Sequence, residues 1–502
     1  MASTIAFLAS SWPQLLFTLF IIYVISAIAA WWRLREFKGP WLGKFSYLWM
    51  ASAELSNEMN NYYMAASKKY GKLTRVGPND LVSSDAEIVR HINGVRSGYT
   101  KSNYYDVMKI DPYVHNTFSE TSPEVHTTNR AYMANGYSGK ENPHLEDELD
   151  EVLKLFVGMI EEKYISTKDV LKVTDFSDLT SWYTLDSLTR IAYGRSFGWM
   201  KEGKDLFDYM KLTLEILPIM VFSGAVPIAG SLYLLLGRIA GPSPKDKKGI
   251  GRLLGLARDV VEERFQGDIG ENQDMLDSWI RHGFTDRRRI AAEILFQIVA
   301  GGDTVSGALR ATFLHVLSSA RVMRKLTAEI DEAVKAGRVS DPISNEQTLK
   351  LPYLQAVMKE GLRIHPPSSG LLFKKVPKGG DVLDGRYVPE GTRVGHSMWA
   401  IQRDTKVYGP DTDVYRPERW TDADAETYAN MEKQVDLVFG YGRWGCMGKP
   451  VAFMTLQKTL FELFRRYDFE LLNPSRPYVE FCHIIFVHTN MKIRITRRSD
   501  SD

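Results

Sequence analysis

Ten residues from Phe439 to Gly448, FGYGRWGCMG, place one of the chain's two cysteines in a glycine-rich turn. Arg443 stands three positions before Cys446, and a long apolar segment follows. Glycine lets backbone approach a partner closely, so the turn can present a single thiolate to something large and flat. A helix starting just after the cysteine would put the sulfur near N–H donors and partial positive charge. Gly445 and Gly448 leave room for those donors, and bonds of that kind tune a liganding sulfur. The other cysteine, Cys482 in VEFCHIIFV, alternates with apolar neighbours and reads as a buried core thiol. One disulfide between the two stays open at this stage, but the pair makes neither a disulfide scaffold nor a four-ligand zinc site.

A second constellation is AGGDT, Ala300 to Thr304, inside a long apolar helical run. Each glycine in a helix interior costs about 1 kcal/mol relative to alanine, which is tolerable where backbone must open or be approached closely. Asp303 and Thr304 add an acid and a hydroxyl, and the threonine hydroxyl can bond back to a carbonyl one turn earlier. The alternative is a plain helix kink. A third feature is Glu360 and Arg363 in KEGLRIHPP, three apart and therefore on one helix face. His126 and Arg130 in EVHTTNRAYM are four apart and also share a face. A lone thiolate in a glycine-rich turn suits haem iron, where a cysteine ligand favours O–O cleavage.

Positioning these groups takes a mostly helical chain. The periodicity predicts helices near 54–70, 145–165, 176–193, 231–236, 286–317, 321–336, 352–364 and 448–467. Asp286 is the expected N-cap of the longest. PIMVFSGAVPIAG reads as a broken turn, on the membrane-facing side of an access channel or within the core, and residues 97–120 as a long loop. KLTRVGPNDLVSS and the stretch from 370 to 402 read as short strands, and residues 467–497 as terminal ones. The 502 residues show no long linker and carry a net charge of +2, which argues for one large unit and against a phosphate-driven nucleic-acid binder. The first thirty-two residues carry no charge. Leu15 to Trp32 is long enough for a membrane-crossing helix, and Arg33, Arg35 and Lys38 follow. The expectation is an uncleaved anchor and basic flank over 1–38, with a catalytic domain over 39–502 on the cytosolic side. A cleaved signal peptide is the competing reading, against which stand the missing basic n-region and the two closing tryptophans.

Phe439, Gly442, Cys446 and Gly448 match F-x-x-G-x-x-x-C-x-G, the haem-binding signature of the cytochrome P450 family. The chain resembles that family over essentially its whole length, with motifs in the expected order from residue 126 to residue 448. The resemblance implies the P450 fold, mainly α with a small segregated β part, here preceded by an N-terminal transmembrane helix. It implies haem b with Cys446 as axial ligand and metal ligand, Phe439 packed beside the thiolate, and Arg443 on a haem propionate. His126 and Arg130 would hold propionates from the opposite side. Lys374, in FKKVP, stands where many relatives carry arginine; lysine lacks the bidentate fork, so its propionate contact is less certain. Gln402 stands where a histidine is common. Asp303 and Thr304 become the catalytic acid and hydroxyl of oxygen activation. Glu360, Arg363 and Arg419 of PERW become a buried structural network.

The implied reaction is insertion of one oxygen atom of O2 into a small hydrophobic substrate, in fungal secondary metabolism or detoxification. Electrons would come from NADPH through a P450 reductase, with cytochrome b5 as a further donor, since no flavin or dinucleotide fingerprint is present. Tyr104 and Val107, within 98–118, and Phe296, Val299 and Ala300 are the substrate-pocket candidates; several could instead pack the core. A haem-thiolate isomerase, dehydratase or peroxide-driven oxidase is the first rival, which the acid–hydroxyl pair disfavours. A haem sensor or receptor is the second; it would leave Asp303 and Thr304 unexplained. Among relatives, the SFG, GGDT and PERW segments look most like microsomal enzymes of the pisatin-demethylase type. That likeness implies a single-pass endoplasmic reticulum protein in contact with membrane lipid.

Overall fold

The computed structural model describes residues 2–267 and 273–498. Its centre is a 31-residue helix, Arg287–Leu317, capped by Asp286, whose carboxylate accepts from the Arg289 N–H at 3.1 Å. Helix Phe176–Tyr193 lies against it, started by the Asp175 side chain and stopped by left-handed Gly194. Their contact explains the paired glycines. A Cβ on Gly302 would stand 2.5 Å from Leu185 Cδ2, and one on Gly301 would stand 3.0 Å from Leu188 Cδ2. The Thr184 hydroxyl donates to the Gly302 carbonyl at 3.0 Å. The helix is continuous through this point, so close approach rather than a kink uses the glycines.

Helices Pro352–Ile364 and Lys449–Arg466 pack on the same long helix, each with proline in its first turn. There the missing N–H costs nothing. The apolar faces of these helices merge into one large core. The β part is minor, as the composition of the segments suggests, but its pairing is not local. Thr100–Lys101, Lys374–Lys375, Arg393–His396, Asp80–Ser83 and Leu73–Gly77 form one five-stranded sheet, with one parallel pair. After residue 370, Lys374–Lys375 and Arg393–His396 pair antiparallel with each other, as do Asp381–Leu383 and Arg386–Val388, and the first pair also joins the N-terminal strands. PIMVFSGAVPIAG is not a broken turn. It joins two helices, Tyr209–Ala225 with Pro218 inside and Pro227–Ala240.

The N-terminal run forms a helix, Ala2–Arg33. Among the described residues, however, no helix is long and apolar enough to cross a membrane. Thr18, Tyr23 and Ser26 interrupt its apolar run, and a crossing needs roughly 20 predominantly apolar residues. The side chains of residues 1–13, 15, 16 and 19, part of the expected anchor, lie outside the described residues. The end of the helix is held by the domain: Arg75 donates to the carbonyls of Ala30 and Trp31 at 2.9 and 3.3 Å, and the Tyr23 hydroxyl to that of Phe45 at 3.2 Å. The transmembrane helix, the membrane-anchored microsomal identity and the single-pass endoplasmic reticulum location are corrected accordingly.

Candidate active site

Cys446 closes its turn through its own N–H, which donates to the Phe439 carbonyl at 2.6 Å. Gly442, at φ +59°, brings its backbone so close to Asn93 that a Cβ would stand 2.3 Å from that residue's carbonyl oxygen. Burial pushes its thiol up; the N–H groups of Gly448 and Lys449 and the charge of Arg130 pull it back. Yet the residue has exposed surface. A cysteine with free surface at a helix start is what a flat ligand requires. Cys482 is the opposite case: fully buried, its N–H bonded to the Asn57 carbonyl at 2.8 Å, its thiol driven well up by burial. Both cysteines are free, so the disulfide left open above does not form. The Phe439 ring packs on Phe453 at 5.2 Å.

Helix Pro123–Tyr137 brings His126 and Arg130 to this turn. Arg130 donates to the Gly445 carbonyl at 2.7 Å, and the His126 ring lies 4.5 Å from that of Trp444. The Lys101 and Lys374 ammonium groups sit 4.8 and 4.9 Å from the same indole. These lysines face each other across paired strands. Like charges in that register are destabilising, and burial drops Lys374 to about 7 and Lys101 well below its usual value. His126 falls to about 2 through burial and then through Lys101, Arg130, Lys374 and Arg443, all cationic. His126 Nδ1 and Trp444 Nε1 are buried with no hydrogen-bond partner. A buried knot of cations with orphaned polar atoms calls for an anion, and the two carboxylates on the rim of haem fit it. Arg443 is placed differently from expectation: its guanidinium donates to the carbonyls of Val95 and Ser97, the latter at 3.0 Å. Lys101 and Trp444 carried only faint signals, a lone lysine in a Ser/Asn/Tyr loop and an indole beside the cysteine.

On the long helix, Phe296, Val299, Ala300 and Thr304 keep partial exposure, as do Gly301 and Val305 next to them. The spacing of the first four puts them on one face. The Thr304 hydroxyl donates to the Ala300 carbonyl at 2.7 Å. Asp303 points elsewhere, accepting from the Tyr209 hydroxyl at 2.8 Å. Burial raises its carboxyl to about 6 against the pull of Tyr209 and Arg310. Nothing in the sequence singled out Tyr209. A cavity of about 390 Å³ reaches Asp303 and is also lined by Asp178, Asp205, Lys204, Arg310 and His488. Tyr104 and Val107 are fully buried against Gly224 and so lie in the core rather than on a pocket wall.

Glu360, Arg363 and Arg419 come together completely. Arg363 makes two 2.8 Å bonds to the Glu360 carboxylate, and Arg419 a third at 3.3 Å. Trp420 Nε1 and the Arg416 N–H add bonds of 2.9 and 3.0 Å. Gln402 is used structurally: its amide donates to the Gln434 carbonyl and its oxygen accepts from Tyr408.

A family model described as Cytochrome P450 matches residues 37–496. The chain is 39% identical to the cytochrome P450 monooxygenase ABA1 of Pyricularia oryzae, over 98% of each chain. It is 37% identical to the aba1 enzyme of Botryotinia fuckeliana, over 93% of each. It is 31% identical to the monooxygenase abl1 of Leptosphaeria maculans, over 90% of this chain and 81% of that one. These likenesses replace the finer expectation of a membrane-anchored enzyme of pisatin-demethylase type. They carry an oxidoreductase with cysteine-ligated haem b, a family whose members take electrons from an NADPH-dependent P450 reductase and act on hydrophobic substrates. The chain belongs to the cytochrome P450 family and is a haem-thiolate monooxygenase of fungal metabolism.

Proposed function

We propose that Cys446 is the only protein ligand of the haem iron, and that substrate is oxidised beside the partly exposed stripe of Phe296, Val299, Ala300 and Thr304. The observation that carries this reading is the exposed Cys446, set at the start of Lys449–Arg466 with two backbone N–H groups turned to its sulfur. Residues 39–502 form the catalytic domain in this reading. When bound, haem supplies the activation of O2 at its iron. Lys101, Lys374, Arg130 and His126 hold its carboxylates, and Phe439 shields the thiolate side. The Glu360–Arg363–Arg419 network keeps the cysteine turn in place without touching substrate.

Asp303 is the proton carrier. A carboxyl raised to about 6 is near the operating pH, where proton exchange is most effective. The polar cavity that reaches it supports a supply of protons from solvent, and the Tyr209 hydroxyl holds Oδ2. The Thr304 hydroxyl, with its hydrogen on the Ala300 carbonyl, presents its oxygen lone pairs on the substrate face. The apolar stripe suits a small hydrophobic substrate of secondary metabolism, with cytochrome b5 as an additional electron donor. The test is carbon monoxide added to the reduced protein. The red-shifted Soret band of a thiolate haem is expected in wild type and Cys482→Ser, and is lost in Cys446→Ser. Loss in Cys482→Ser with haem retained, or persistence in Cys446→Ser, overturns the assignment.

A further inference from the structure

Glu293 is an ionisable residue, nearly fully buried, in the apolar part of the long helix, one turn before Phe296. Such a group is costly unless its lone pairs are met. One oxygen, Oε1, accepts both the Thr117 N–H at 2.5 Å and the Thr117 hydroxyl at 2.6 Å. From the other side, Lys101 Nζ donates to the carbonyls of Thr117 and Phe118 at 2.9 and 2.7 Å. Asn116 and Ser119 close the turn on themselves: the Ser119 N–H donates to Asn116 Oδ1 at 2.8 Å and the Asn116 N–H to the Ser119 hydroxyl at 3.1 Å. A polar loop is thus buried and gripped at one dipeptide by two elements.

What the grip holds is an aromatic pair. Phe118 alone among residues 116–119 keeps partial exposure. Its ring stacks on Phe296 with centroids 5.1 Å apart and planes 12° apart. Phe296 heads the partly exposed stripe that continues to Val299, Ala300 and Thr304. We propose that Glu293 is a positioning residue that latches the 116–119 turn to the long helix and so seats Phe118 over the substrate pocket, making that pocket selective for ligand size. The inference rests on the reading of Phe296 as a pocket residue. Both Thr117 donors need only an acceptor at Oε1, so a glutamine carbonyl can replace the carboxylate, whereas leucine cannot.

The ferric, haem-loaded protein is titrated with imidazole and with 4-phenylimidazole, following the absorbance change on nitrogen ligation. Glu293→Leu is expected to leave imidazole affinity within about twofold and to weaken 4-phenylimidazole about tenfold, while Glu293→Gln stays near wild type. Phe118→Ala should reproduce the loss, and the double variant Phe118→Ala, Glu293→Leu should lose no more than either alone, because the two act through one contact. Equal affinities in wild type and Glu293→Leu overturn the latch. So does a Glu293→Leu protein that fails with imidazole as well, which makes the residue a support of the haem site. An unchanged Phe296→Ala overturns the pocket reading instead, a result distinct from failure of Glu293→Leu alone.

Discussion

The Glu360 network and the cluster around Trp444 are both buried, both arginine- or lysine-rich, and both close to the cysteine turn, yet they are built in opposite ways. Around Glu360 the carboxylate accepts from Arg363, Arg419, Trp420 and the Arg416 backbone. The spare guanidinium N–H groups find the carbonyls of Gln402, Thr412 and Asp411. Around Trp444 there are Lys101, Lys374, Arg130 and a His126 whose Nδ1 has no partner; cation faces cation, and the charges of Glu293 and Glu120 pull Lys101 back up. The first cluster is complete as protein. In the second, burial and the facing cation disfavour charge on Lys101, a cost that an anionic ligand would offset. A saturated buried network is scaffold, and an unbalanced one is a binding site.

The largest effect should come from breaking the saturated side. Glu360→Gln leaves the buried Arg363 guanidinium without a counter-charge and Arg419 with Asp411 alone, a loss of about 3–5 kcal/mol. Chemical denaturation followed by circular dichroism should show a much destabilised or unfolded protein, with or without haem. A stable, folded Glu360→Gln would mean that the network is not scaffold.

Between the extremes stands Asp303, a buried carboxyl with one donor. It is faced by Tyr209, Arg310 and, less favourably, Asp205. Its folded pKa of about 6 lies above the ordinary 3.8. Between those values the unfolded chain has already released the proton that the folded protein keeps, so this residue's contribution to stability falls as pH rises through the window. Wild type should therefore lose on the order of 2 kcal/mol relative to Asp303→Asn between pH 4 and pH 7. Parallel denaturation curves over that range check it, and a constant difference would remove the raised pKa.

The smallest effect, and the sharpest on the comparison, comes from the unbalanced side. Lys374→Met removes a buried amino group whose hydrogen-bond partner among the described residues is the Tyr105 hydroxyl, at 2.6 Å. The haem-free protein should be as stable as wild type or more so. Haem should nevertheless leave about ten times faster, the scale of loss typical of a group that supports a bound metal centre. Transfer of haem to a scavenging apoglobin measures this. Unchanged haem loss would take Lys374 out of the site, and a destabilised apoprotein would make it scaffold like Glu360.

Much of this site is written locally. The cysteine turn, the Asp286 cap, helices Phe176–Tyr193 and Pro352–Ile364, and the Glu360–Arg363 spacing are settled by neighbours within a few residues, and short-range signals of glycine, proline and capping side chains express them. The apolar N-terminal run shows the limit of such signals: composition is enough to read a helix, Ala2–Arg33, but not to establish a membrane crossing. Tertiary structure alone decided the rest. It set Lys101 opposite Lys374 by pairing strands far apart in the chain, turned Asp303 to Tyr209, and bound Glu293 to Thr117. It also directed Arg443 to the carbonyls of Val95 and Ser97, and drew Tyr104 and Val107 into the core. The physical reason is that a buried polar group takes whichever partner the packed core brings within about 3 Å, and no periodicity along the chain encodes that partner.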